Sequence, residues 1–124
     1  MANVMVVEDE PEVLSVLVDL IRERGYETVG VQRTSQALEL VGDLRPDVII
    51  LDLVMPPREL DGIEFLFRLR RKRRARAIPV LVVSGLANVI NPRAAQYLGI
   101  RAMHTKPFEM TELLNEIDSV LSRG

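Results

Sequence analysis

Three short, unbroken apolar runs dominated by Val and Ile constrain this chain more than any other feature: Val4–Val7, Val48–Leu51 and Val80–Val83. A strand with one wet face alternates polar and apolar residues, whereas a run with no polar position fits a strand buried on both faces. Two further runs, Thr28–Val31 and Ala102–Thr105, read as shorter strands. Segments with helical period lie between them. Leu14, Leu17, Val18 and Ile21 form one stripe, and Gly25 follows where a helix-ending glycine belongs. A second helix is expected from Thr34 or Ser35 to Gly42, and a third from about Asp61 to Arg74. The fourth opens with Asn91 as N-cap and Pro92 at its first position, and Gly99 ends it. Leu113, Leu114, Ile117, Val120 and Leu121 stripe the fifth. Pro79 precedes a strand, where its missing donor is tolerated. Strand and helix alternate five times. Strands joined through helices pair in parallel, so the expected class is α/β, a parallel sheet with helices on both faces.

At 124 residues the chain has the size of one domain, read here as residues 1–124. An apolar fraction of 48% with 27% charged residues excludes a disordered chain. With no Cys, disulfides, thiolate metal sites and a Cys nucleophile are excluded. The lone histidine, His104, rules out a histidine metal cluster and reads as a plain strand residue. No apolar run approaches the roughly 20 residues of a membrane span. The N-terminus shows no signal-peptide pattern, so the expectation is a cytoplasmic domain. Net charge is −2, but seven of the 16 basic residues lie between Arg68 and Arg76. The rest of the chain carries nine basic residues against 18 acidic ones. An acidic body of this kind does not suit binding to DNA driven by overall charge. The basic run reads as a solvated helix end, with docking of an acidic partner, or accessory contact with nucleic acid or an anionic membrane, as the alternatives.

In an open parallel sheet, ligands bind beyond the C-terminal ends of the strands. Glu8-Asp9-Glu10 follows the first run, Asp52 the third, Ser84 the fourth, and Lys106-Pro107 the fifth. Glu10 also suits a helix cap. Clustered carboxylates repel one another, and a hard cation such as Mg2+, which prefers oxygen ligands, relieves that repulsion. A lysine supplies a point charge for a phosphoryl oxygen, and a carboxylate can be the nucleophile in phosphoryl transfer.

The full chain resembles the receiver domains of two-component response regulators. The resemblance rests on Val-Val-Glu-Asp-Glu at 6–10, Val-Ile-Ile-Leu-Asp-Leu-Val-Met-Pro at 48–56, Asp-Gly at 61–62, Val-Val-Ser-Gly at 82–85 and Lys-Pro-Phe at 106–108. It implies a flavodoxin-like five-stranded sheet in the order 2-1-3-4-5. It implies that Asp52 is the phosphoacceptor, with Glu8, Asp9, Asp52 and the Val54 carbonyl holding Mg2+. Ser84 is then the hydroxyl that turns toward the phosphoryl group, Lys106 its ammonium partner, and the Lys106–Pro107 bond cis. The implied partners are a sensor histidine kinase or phosphotransfer protein and a downstream protein. A homodimer through the fourth helix and fifth strand is a further family property. No activity beyond the domain's own phosphorylation and dephosphorylation is implied.

The chain departs from the family pattern in three places. The loop Met-Pro-Pro-Arg-Glu-Leu-Asp-Gly after Asp52 is longer than usual, so Arg58 or Glu59 can lean over the site. Met103 stands where the family usually has a Tyr or Phe switch residue. Val54 and Leu86 replace residues that often orient a hydrolytic water, which predicts slow loss of phosphate. A haloacid dehalogenase-type phosphatase is disfavoured because Val54 occupies the place of its second acid, and no glycine-rich loop supports nucleotide binding. A pseudo-receiver that is never phosphorylated, or a receiver taken from a larger protein, is the alternative. Because the chain ends just past the fifth helix, the expectation is a single-domain regulator that switches partner binding or relays phosphate.

Overall fold

The computed structural model describes residues 2–86 and 90–122. Its elements are β1 (Asn3–Val7), α1 (Pro11–Glu23), β2 (Glu27–Val31), α2 (Thr34–Leu44), β3 (Val48–Leu51), α3 (Gly62–Arg71), β4 (Val80–Ser84), α4 (Pro92–Tyr97), β5 (Ile100–Thr105) and α5 (Met110–Ser122). The five strands are parallel in the order β2-β1-β3-β4-β5. Both the class and the strand order expected from the sequence are therefore present.

Burial explains the two kinds of apolar run. The three inner strands β1, β3 and β4 are buried nearly throughout, while the edge strands β2 and β5 alternate with exposed positions. Side chains on the inner strands divide by parity. Met5, Val7, Ile49, Leu51, Val80 and Val82 meet α2, α3 and α4 on one face. Val4, Val6, Val48, Ile50, Leu81 and Val83 meet α1 and α5 on the other. Each such Val, Leu or Ile contributes on the order of 1.5–3 kcal/mol by leaving water.

The helix ends follow their caps. Asn91 Oδ1 accepts from the Ala94 amide at 2.8 Å with Pro92 in the first turn, as the sequence predicts. Asp61 Oδ1 caps α3 through the Glu64 amide at 2.9 Å. Gly25 has φ +102° just past α1, a left-handed conformation that favours glycine. Glu10 stands at the N-cap of α1, but its side chain makes no capping bond.

Helix α3 stops at Arg71, short of the expected Arg74. The cause is Arg70, whose Nη1 donates to the carbonyls of Ala75, Arg76 and Ile78 at 3.2, 3.2 and 2.8 Å. Its Nε donates to Leu98 O at the end of α4 at 2.7 Å. One guanidinium thus folds the α3–β4 link back under the helix, and Arg74 lies off the helical face that carries Arg68 and Arg71.

Gly62 lets α3 start against the strand it leaves. Its amide donates to Leu53 O at 2.8 Å, and a Cβ there would lie 2.5 Å from the Leu53 Cα. Gly62→Ala is expected to cost about 1–3 kcal/mol, since packed backbone must move. In contrast, Gly42 lies inside α2 with open space around a would-be Cβ. Gly42→Ala should therefore stabilise the fold by about 0.5–1 kcal/mol. Urea unfolding of the two variants checks both signs.

Candidate functional site

The sheet register builds the site. Val7 pairs with Leu51 across β1 and β3, so the next residues, Glu8 and Asp52, emerge side by side. The hydrogen-bond ladder runs one rung past the strands. Asp52 N donates to Val7 O at 3.0 Å, Glu8 N to Val31 O at 3.0 Å, and Lys106 N to Ser84 O at 3.1 Å. Each of these three residues is thus fixed by backbone where its strand ends. The Lys106–Pro107 bond is cis.

Glu8, Asp52 and Ser84 are three of the five buried polar residues among those described, so most of that buried polarity lies at this one edge. Lys106 Nζ donates to Glu8 Oε1 at 2.6 Å and to Asp52 Oδ2 at 2.9 Å. The other Asp52 oxygen accepts from the Val54 amide at 3.0 Å, and Glu8 Oε2 accepts from the Glu10 amide at 3.2 Å. Glu8, Asp9 and Asp52 each present a carboxylate oxygen within 4.8 Å of the others. Three hard anionic oxygens this close fit a divalent cation such as Mg2+. The Ser84 hydroxyl accepts from the Leu86 amide at 3.2 Å.

Burial pushes Glu8 up to about 7 from the ordinary 4.5, although the Lys106 hydrogen bond pulls the other way. Burial alone would lower Lys106, but its bonds to Glu8 and Asp52 outweigh that and hold it above the usual lysine range. Lys106 therefore holds its charge more firmly than an ordinary lysine, and Glu8 gives up its proton less readily than an ordinary carboxyl.

The five residues named from the strand ends, Glu8, Asp9, Asp52, Ser84 and Lys106, converge at the same edge. The Glu8–Lys106 bond is additional, since Glu8 reads from the sequence as a metal ligand alone. The long loop behaves differently from expectation. Glu59 does not lean over the site: its carboxylate accepts from the Ser35 amide and hydroxyl at 3.1 and 2.9 Å. It thereby supplies α2 with the N-terminal acceptor that Arg33, at the cap position, lacks. These hydrogen bonds hold Glu59 below the usual carboxylate range. Arg58 is exposed and has φ +76°. Met103 is partly exposed on β5, and His104 carries a buried Nε2 with no partner among the described residues.

A family model described as the response regulator receiver domain matches residues 4–118. The chain belongs to this family. It is 32% identical over 119 residues to the polar-differentiation response regulator DivK of Brucella anthropi, covering 96% of this chain and 95% of that one. It is 34% identical over 122 residues to the transcriptional regulatory protein PdtaR of Mycobacterium tuberculosis, covering 98% of this chain but 57% of that longer protein. Among solved structures, the Francisella response regulator 1452 receiver domain superposes with a TM-score of 0.87 at 28% identity, covering 99% and 98% of the two chains. A receiver protein from Pseudomonas putida gives 0.84 at 26% identity, covering 95% and 96%. Among the described residues no helix of this receiver domain is long and apolar enough to cross a membrane.

The raised Glu8 value has a definite sign. A carboxyl whose folded-state pKa exceeds its unfolded one adds stability below the unfolded value and loses it as pH rises. In metal-free protein the Glu8 contribution should therefore be full below about pH 4.5 and gone above about pH 7. A carboxyl-carbon NMR titration should place its midpoint near 7, and Lys106→Met should move that midpoint higher.

Proposed function

We propose that this receiver domain accepts a phosphoryl group on Asp52 from a sensor histidine kinase or a phosphotransfer protein, and that the modification switches binding of a downstream protein or passes the group onward. The observation that carries the reading is the Asp52 carboxylate at the end of β3, held between Lys106 and the Glu8–Asp9 pair. Glu8, Asp9, Asp52 and the Val54 carbonyl would hold Mg2+. Bound there, Mg2+ neutralises the carboxylates and the oxygens of the incoming group.

The chain's own residues supply the rest. An Asp52 oxygen attacks phosphorus in line with the leaving histidine nitrogen, so a P–O bond forms as the P–N bond breaks. Lys106 shifts from the Asp52 carboxylate to a phosphoryl oxygen, and Glu8 keeps the ammonium aligned through that shift. The Ser84 hydroxyl turns to the new group and gives up its contact with the Leu86 amide. That exchange couples the site to the β4–α4 link. The domain processes one phosphoryl group at its own side chain and has no separate substrate, so it acts as a switch and not as an enzyme on other molecules. The meeting of all five polar residues disfavours a receiver that is never phosphorylated.

Acetyl phosphate with Mg2+ should label the wild type at one site, and Asp52→Asn should abolish the label. Persistence of the label in that variant would show that another residue is the nucleophile.

Val54 and Leu86 are about half exposed at the site's rim, and neither offers a hydrogen bond to a water lined up behind phosphorus. Glu59, engaged by α2, does not supply one. The phosphorylated protein should therefore lose its group slowly, with reset left to a phosphatase or to back-transfer. A well-placed water-positioning group is worth ~10²-fold or more, so Val54→Asn should speed the decay by about tenfold. Glu59→Ala should leave the decay unchanged. Following phosphoprotein after donor removal measures all three.

A further inference from the structure

The fold brings two exposed aromatic rings together beside the basic run. Phe67 on α3 and Tyr97 on α4 have centroids 6.4 Å apart and planes inclined at 50°. Tyr97 is 75% exposed, which leaves most of a large apolar ring in water. Helices α3 and α4 both return antiparallel to the strands, so they run side by side in the same direction. Arg93 precedes Tyr97 by one helical turn, and Arg71 follows Phe67 by one turn. Both arginines are exposed, and among the described residues neither lies within 4 Å of a carboxylate. Arg68 is different, being paired with Glu64 at 3.3 Å. The result is an apolar platform with one free guanidinium a turn above it and another a turn below.

We propose that this α3–α4 face docks a helical segment of a partner protein that carries one large apolar residue flanked by carboxylates one turn to either side. The spacing supports a helix, because residues four apart fall on one face and repeat the rise of the two arginines. The chemistry supports carboxylates, because a guanidinium fork binds them in pairs of parallel hydrogen bonds. Tyr, Phe and Arg are also the residue types that concentrate binding energy at protein interfaces. A nucleic-acid strand fits less well, since outside Arg68–Arg76 the chain has nine basic residues against 18 acidic ones and repels an extended polyanion. The face is separate from the phosphorylation site, and the inference stands whether or not Asp52 is phosphorylated.

The test uses the full chain and a fluorescein-labelled helical peptide with Leu at one position and Glu four residues before and after it. Fluorescence anisotropy should show saturable binding that weakens as salt rises. Tyr97→Ala and the double variant Arg71→Glu/Arg93→Glu should each reduce affinity at least tenfold, while Tyr97→Phe retains it. Replacing the peptide's Leu by Ala, or both Glu by Gln, should have the same effect as the protein variants. Amide shifts on titration should centre on residues 63–71 and 93–98. Acetyl phosphate labelling should be unchanged in all variants, which separates failure here from failure of the Asp52 assignment. Absence of binding, binding indifferent to Tyr97→Ala, or shifts centred on another face would overturn the proposal. So would tighter binding of a labelled oligouridylate that the same variants abolish, which would assign the face to single-stranded nucleic acid.

Discussion

The Lys106 ammonium, 2.6 Å from Glu8 and 2.9 Å from Asp52, is the contact on which the functional edge depends. Two buried carboxylates this close repel each other, and each loses hydration that water would have supplied. The parallel sheet makes the problem by delivering β1 and β3 to the same edge, and answers it by delivering β5 there too. Buried ion pairs are seldom the most stabilising way to fill a volume. This one is better understood as a held charge balance: one ammonium is shared between two buried carboxylates, and burial makes the Glu8 carboxyl harder to ionise. A hydrophobic replacement would keep the sheet but would remove the charges that gather at this edge.

Much of this was legible in the sequence, and the reasons are physical. The inner strands could be placed because burial on both faces leaves unbroken apolar runs, and β3 occupies the same residues, Val48–Leu51, in both readings. The edge strands were placed short by one or two residues, since Glu27 and Ile100 belong to β2 and β5 through pairing with β1 and β4 and not through apolar pattern, and Arg101 is the extra residue where the β4–β5 register shifts. The five site residues could be found because strand ends are the one place where a parallel sheet exposes its interior to a ligand. How those residues pair was hidden. The Glu8–Lys106 bond spans 98 positions and follows from register, which composition does not encode.

The early end of α3 and the position of Glu59 share one cause. Local pattern identifies a side chain's type but not its distant acceptor. Arg70 sits within a run of cations that looks uniformly solvated, yet it spends its hydrogen bonds on four carbonyls, one of them 28 residues away. Glu59 stands in a loop that looks poised over the site, yet its carboxylate completes the first turn of α2 across 24 residues. In both cases an unsatisfied backbone terminus attracted a charged side chain from elsewhere in the chain. Helix ends leave such groups by construction, and at α2, with Arg33 at its cap position, a remote residue serves.

Helix α4 joins these features. It buries one apolar side chain, Ala95, whereas α2 buries two and α1, α3 and α5 bury three each. Less buried apolar area means less free energy lost when an element shifts, and so α4 is the layer's least anchored helix. Its C-terminal end is fastened by Arg70 through Leu98, and its N-terminal end follows the link that begins at Ser84 and Leu86. It also carries Tyr97, the most exposed of the large hydrophobic side chains. A weakly buried helix, fixed by a charged clamp at one end and following the strand that ends at Ser84 at the other, is the element of its layer that resists displacement least. The same scarcity of burial that makes α4 easy to move leaves its aromatic ring in water, because a helix this short cannot cover both of its faces.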